Sequence, residues 1–170
     1  MTTHNESVCP GCKLRLPISD RQDKHRYIHS SSECWLLYTE VLATEYENPV
    51  LFGQIHQLTV DAYAAQHPGG EHPDKSIGLH LCGLFLALEN HVPSPRISGL
   101  HQRLEANTSH WPHFPPPQTT GEVTVFDVAM ADTHEQHAKQ VRRWAESVWS
   151  AWSPYHGEIA NLVGEQAYGQ

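Results

Sequence analysis

From residue 33 onwards most apolar positions recur at helical spacing, and proline and glycine divide them into separate helices. Ser30-Ser31-Ser32 offer capping hydroxyls for a first helix from about Glu33 to Tyr46, with a stripe of Trp35, Tyr38, Leu42 and Tyr46. Asn48-Pro49 breaks it and opens a second helix, whose face is Leu51, Ile55, Leu58, Ala62 and Ala65 and whose end is His67-Pro68-Gly69-Gly70. Asp74 or Ser76 caps a third, to about Glu89. Its Ile77, Leu79, Leu81, Leu84, Phe85, Leu86 and Leu88 leave almost no polar side and predict the most buried element. After Pro93 and Pro95, a shorter helix over Arg96–Ala106 carries Ile97, Leu100 and Leu104. The chain from Asn107 to Gly121 is irregular, with Pro115-Pro116-Pro117 favouring an extended conformation. The run Val123–Val128 predicts one short strand or an extended segment laid across the helices. Thr133 caps the last long helix, to about Trp152, which packs through Val141, Trp144, Val148 and Trp152. Pro154 then interrupts it before a final segment over Tyr155–Val163.

Residues 1–31 lack such periodicity and form a cysteine-bearing arm. The fold class expected is mainly α: a compact antiparallel bundle with an N-terminal Cys-x-x-Cys arm and at most one short extended segment. At 170 residues the chain suits one domain, parsed as the arm (1–31), first helices (32–106), Pro-rich connection (107–132) and C-terminal helices (133–165). Lys and Arg number 11 against 19 Asp and Glu, a net charge of -8 that disfavours a nucleic-acid backbone or an anionic membrane surface. No apolar run suits a bilayer, and the segment from Met1 to Glu6 lacks a signal-peptide pattern, so the cytoplasm is the expected compartment.

Cys9-Pro10-Gly11-Cys12 is the sharpest local signal: its spacing, with a glycine for the tight turn, directs two thiolates at one zinc ion. A redox dithiol shares the spacing but normally follows a strand and opens a helix. One pair is half a tetrahedral site. Antiparallel packing of the first three helices sets the start of the first beside the end of the second and the start of the third, which gathers Cys34, His67 and His80. The expected metal ligands are therefore drawn from Cys9, Cys12, Cys34, His67 and His80, with zinc as cofactor. Plainer readings stand beside them. Cys34 is also a small buried thiol, His67 a helix cap, and His80 a hydrogen-bonded core histidine. Cys82 lies roughly 200° around the helix from His80 and reads as packing.

Histidine is abundant, at 14 residues. His56 returns to the face of His67 but about 16 Å away along the helix, so the two cannot share an ion. It belongs instead to a separate polar cluster with Asp61 and Tyr63, or with His134, His137 and His156 in a three-histidine site between helices. Glu89 and Asp61 are candidate acceptors for an imidazole. His4, His25 and His29 fall in the polar N-terminal part and read as surface.

Cys9-Pro10-Gly11-Cys12, Glu33-Cys34-Trp35, Thr59-Val60-Asp61-Ala62-Tyr63 with Gln66-His67-Pro68-Gly69, and His80-Leu81 together resemble an uncharacterised family of small bacterial proteins. The likeness extends through Trp111-Pro112, Val123–Val128 and Trp144–Ser153. It implies a small helical domain that binds metal and transfers no reaction. Lys13 departs from the glycine that members often carry after the second cysteine. A looser likeness to helical-bundle metalloenzymes, the damage-inducible bundle proteins and related thiol transferases, frames an alternative: a metal-dependent hydrolase or thiol transferase using histidines from separate helices. A third reading, a protein-interaction module, rests on the five tryptophans and the proline run, with a homo-oligomer or an unidentified protein as partner.

Overall fold

The computed structural model describes residues 5–169, so His4 lies outside the described residues. It is a mainly helical bundle preceded by a short antiparallel hairpin. Strands β1 (Glu6–Val8) and β2 (Arg15–Pro17) pair with Ser7 opposite Leu16. The chain between them holds the cysteine turn, closed by Cys9 N–H donating to the Leu14 carbonyl (2.8 Å) and Lys13 N–H to that of Cys9 (3.0 Å). The sequence predicted no strands here, since three-residue strands around a turn are too short to show alternation.

Helix α1 (Ser32–Glu47) starts at Ser31, whose hydroxyl accepts from Cys34 N–H. Its buried face is Cys34, Tyr38, Val41 and Glu45; of the expected stripe Tyr38 is buried, Trp35 and Leu42 are partly buried against the core, and Tyr46 is 64% exposed. The face is rotated because a buried acid, Glu45, occupies a position that an apolar count passes over. Asn48 caps α2 (Pro49–Gln66) through Val50 and Leu51 N–H, and Leu51, Ile55, Leu58, Ala62 and Ala65 are buried as the periodicity requires.

Helices α3 (Asp74–Leu88) and α4 (Ser94–Asn107) follow, and α6 (His134–Ala151) starts at a Thr133 cap. The central position belongs to α2 rather than α3: α1, α3, α4 and α6 all pack on it. Small residues at 62, 64 and 65 let neighbours approach from several sides, so even Asp61 and Gln66 are fully buried. Trp144 and Trp152 donate their indole N–H groups to Gln66 Oε1 (2.7 Å) and the Ala65 carbonyl (3.0 Å), fixing α6 against α2.

The expected strand at Val123–Val128 is instead a short helix, α5 (Val125–Ala129). Thr124 and Asp127 form a capping box, and that local signal overrides the β-branched composition. A single 3₁₀ turn at Ser153–Tyr155 absorbs Pro154 before α7 (His156–Val163), which continues as a π turn over Gly164–Tyr168. No helix among the described residues is long and apolar enough to cross a membrane.

Candidate metal centre

Three parts of the chain converge at the end of α2. The hairpin turn brings Cys9 and Cys12, the first turn of α1 brings Cys34, and the residue capping α2 is His67. One ligand atom from each of these four lies within 4.8 Å of every other, and all four residues are buried. Gly11 makes the approach feasible. A Cβ there would lie 2.6 Å from His67 Cδ2 and 2.7 Å from the His29 carbonyl oxygen, so any side chain would push the turn off the bundle.

Within the group Cys12 Sγ and Cys34 Sγ are 3.8 Å apart, and Cys34 Sγ is 3.4 Å from His67 Nε2. His67 Nδ1 sits 2.6 Å from the Tyr63 carbonyl, one turn back along α2. A carbonyl only accepts, so Nδ1 carries a proton, and Nε2 is the ring nitrogen that faces the sulfurs. Tyr63, fully buried and stacked on Tyr38 with ring centroids 3.8 Å apart, donates its hydroxyl to Cys34 Sγ at 3.6 Å.

The electrostatics are those of a crowded anionic cluster. Hydrogen bonds from Cys12 and Cys34 hold Cys9 well below the usual thiol range. Hydrogen bonding to Cys12 and Cys9, with burial, pushes the Cys34 thiol up. Burial would lower His67, yet hydrogen bonds to Cys12 and Cys9 outweigh it and raise the imidazole to about 9. Protons are thus shared among four donors that one cation would satisfy together.

His80 is not in this group. It lies six residues into α3, as Asp61 lies six residues back from His67 in α2, and its Nδ1 is 2.8 Å from Asp61 Oδ1. The antiparallel packing that brought Cys34 to His67 therefore carries His80 about 9 Å along the helix, past the site. The expected grouping of His56, Asp61 and Tyr63 separates into three contacts: His56 with Glu45, Asp61 with His80, and Tyr63 with Cys34.

The three-histidine arrangement does not form either. His56 and His137 both meet Glu45, His134 pairs with Asn48, and His156 stacks on Trp149 at 3.7 Å. Glu89 accepts from the Trp149 indole rather than from an imidazole. Cys82 is buried and packs in the core. Among the described residues, the Cys9–Cys12–Cys34–His67 set is the one group whose donors close on a common centre.

Sequence reasoning missed Tyr63 as a partner of Cys34 and Glu45 as a buried acid. Tyr63 stands one helical turn before His67, which is the signal that would have found it; Glu45 carries no such signal.

A small helical bundle with a buried three-cysteine, one-histidine cluster under an N-terminal hairpin is the class of protein that the fold and the site define. Residues 7–153 match the model of a family of unknown function (DUF5946), and the chain belongs to that family. No curated protein and no solved structure matches it.

Proposed function

We propose that Cys9, Cys12, Cys34 and His67 bind one zinc ion that fastens the N-terminal arm to the bundle. The spacing of the donors carries this reading. On a tetrahedral ion with Zn–S of about 2.3 Å and Zn–N of about 2.0–2.1 Å, two sulfurs sit about 3.8 Å apart and a sulfur and a nitrogen about 3.5 Å. The distances across the cluster are 3.8 Å and 3.4 Å. Three thiolates favour a soft or borderline ion over magnesium or calcium, and four protein donors leave no open position, which is the pattern of a structural site. Thiolates persist in this state where thiols stay reduced, in keeping with the cytoplasm.

Metal analysis of protein purified without chelator should give one zinc per chain. Cys9→Ser and Cys12→Ser should each lose it while the far-ultraviolet circular dichroism remains helical. Retention of the full metal content by both variants would refute the site. One observation favours a second reading: Cys12 lines a cavity of about 450 Å³ bounded by Lys13, His29, Pro117 and Thr120. A metal-activated Cys12 thiolate facing that cavity would make the protein a thiol-transferring enzyme. Alkylation of Cys12 by iodoacetamide in the metal-loaded protein supports that reading, and protection of Cys12 under the same conditions removes it.

A further inference from the structure

Cys12 differs in one respect from the other members of its cluster. Cys9, Cys34 and His67 are fully buried, whereas Cys12 is 8% exposed and lines the cavity of about 450 Å³ that it shares with Lys13, His29 and Pro117. Its sulfur is also 3.8 Å from Cys34 Sγ, within about 2 Å of disulfide bond length. A thiolate that a small molecule can reach, with a second thiolate directly behind it, is the arrangement that peroxides oxidise reversibly.

The remaining thiols do not compete. Cys9 does not line the cavity. Cys82 packs in the core, where burial pushes its thiol up to about 12 and keeps it protonated and inert.

We propose that Cys12 and Cys34 are a peroxide-oxidised pair, whose disulfide expels the zinc and takes over its task of fastening the arm. Expulsion presupposes the zinc site proposed above; the pairing of the two sulfurs stands on their own geometry. The Cys12 thiolate attacks one peroxide oxygen, forming an S–O bond as the O–O bond breaks. The departing hydroxide takes a proton from solvent and leaves as water. The Cys34 thiolate then attacks the Cys12 sulfur, forming the S–S bond as the S–O bond breaks, and a second hydroxide leaves as a second water. Each thiolate gives up one electron, the peroxide takes two, and two protons are consumed. Zinc is left with Cys9 and His67, too few protein donors for a structural site. Cys12 lies in the hairpin turn and Cys34 in the first turn of α1, so their bond joins arm to bundle. A bond between Cys9 and Cys12 would lie within the turn and release it.

Treatment of the zinc-loaded, reduced full-length protein with hydrogen peroxide tests the assignment. Zinc should pass to a chromogenic chelator, and thiols counted in denaturant should fall from the four free cysteines to two, Cys9 and Cys82. Peptide mapping with fragmentation should join Cys12 to Cys34, a link that Cys9→Ser keeps and Cys34→Ser loses. Amides of the hairpin should exchange within about two-fold of their zinc-bound rates, although chelation alone accelerates them roughly ten-fold. Dithiothreitol with added zinc should restore the starting state. Protein that carries no zinc before treatment overturns the zinc site and the expulsion, while the Cys12–Cys34 link still decides the pairing. Zinc retained in excess peroxide, a Cys9–Cys12 link, or oxidation that runs to sulfinic acid without a link overturns the proposal.

Discussion

His67 works through both ring nitrogens. The Tyr63 carbonyl takes the proton on Nδ1 and so fixes which nitrogen faces the cysteines. The same tyrosine reaches Cys34 Sγ with its hydroxyl, and a hydrogen bond to a thiolate stabilises the charged form that a metal requires. Tyr63→Phe removes that donor and little volume, so zinc affinity should fall by about ten-fold with the helical content intact, measured by competition with a chromogenic chelator. Lys13 carries a different burden. Its φ of 64° lies in the left-handed region that glycine occupies without cost, which is the physical content of its departure from the family pattern. Lys13→Gly should raise stability by roughly 0.5 kcal/mol, the relief of φ being partly offset by the greater freedom of glycine when unfolded. Urea midpoints of the two metal-loaded proteins provide the comparison.

Helix α5 and the hairpin mark where local chemistry outweighs apolar patterning. In α5 the Thr124 hydroxyl accepts from Phe126 N–H while Asp127 Oδ2 accepts from Thr124 N–H at 2.8 Å. Thr124→Ala should cost about 1 kcal/mol, with denaturant unfolding as the readout. The long helices were legible because their faces are apolar and their ends carry Asn48-Pro49, Pro68-Gly69 or Thr133. The short elements were not, because five residues of α5 and three of each strand hold too few positions for a period to appear. Of the candidate ligands, Cys9 and Cys12 follow from adjacency, and Cys34 and His67 from the antiparallel pairing of α1 with α2. His80 shows where that inference stops: connectivity says which ends of helices meet, while the depth of a residue along its helix decides which partner it finds, here Asp61. The buried Glu45 was illegible because a lone acid in a helix gives no sign that two histidines and a threonine await it.

The molecule as a whole should weaken in mild acid. Burial lowers the His72 imidazole from 6.5 to about 4, with its Nδ1 donating to the His67 carbonyl and its Nε2 accepting from Ser76. A histidine whose folded pKa is depressed favours the folded state while neutral, and the unfolded chain takes up the proton first. That contribution is therefore complete above about 6.5, declines as the pH falls towards 4, and is flat below it. His25 and His101 shift in the same direction through burial, and protons also compete with metal for the thiolates. Melting temperatures of the wild type and His72→Gln across that interval should converge at its acid end.

Removal of the metal should separate the arm from the bundle in stability without unfolding the rest. The hairpin contributes only Leu14 and Leu16 as partly buried apolar contacts, and its two strands pair with each other alone. The helices, by contrast, share a continuous core running from Ile55 and Leu81 through Trp144 and Trp152 to Ile159, all fully buried. On the proposed reading, a metal tie from Cys9 and Cys12 to Cys34 and His67 would be the main attachment of residues 6–17, and its loss would leave a segment too small to hold its own structure. Hydrogen exchange followed by mass spectrometry, before and after chelation, should show amides of the hairpin exchanging roughly ten-fold faster or more, with those of α2 and α6 unchanged. Equal acceleration in both would mean that the metal supports the bundle itself, and no acceleration anywhere would mean that the arm is held by its packing alone.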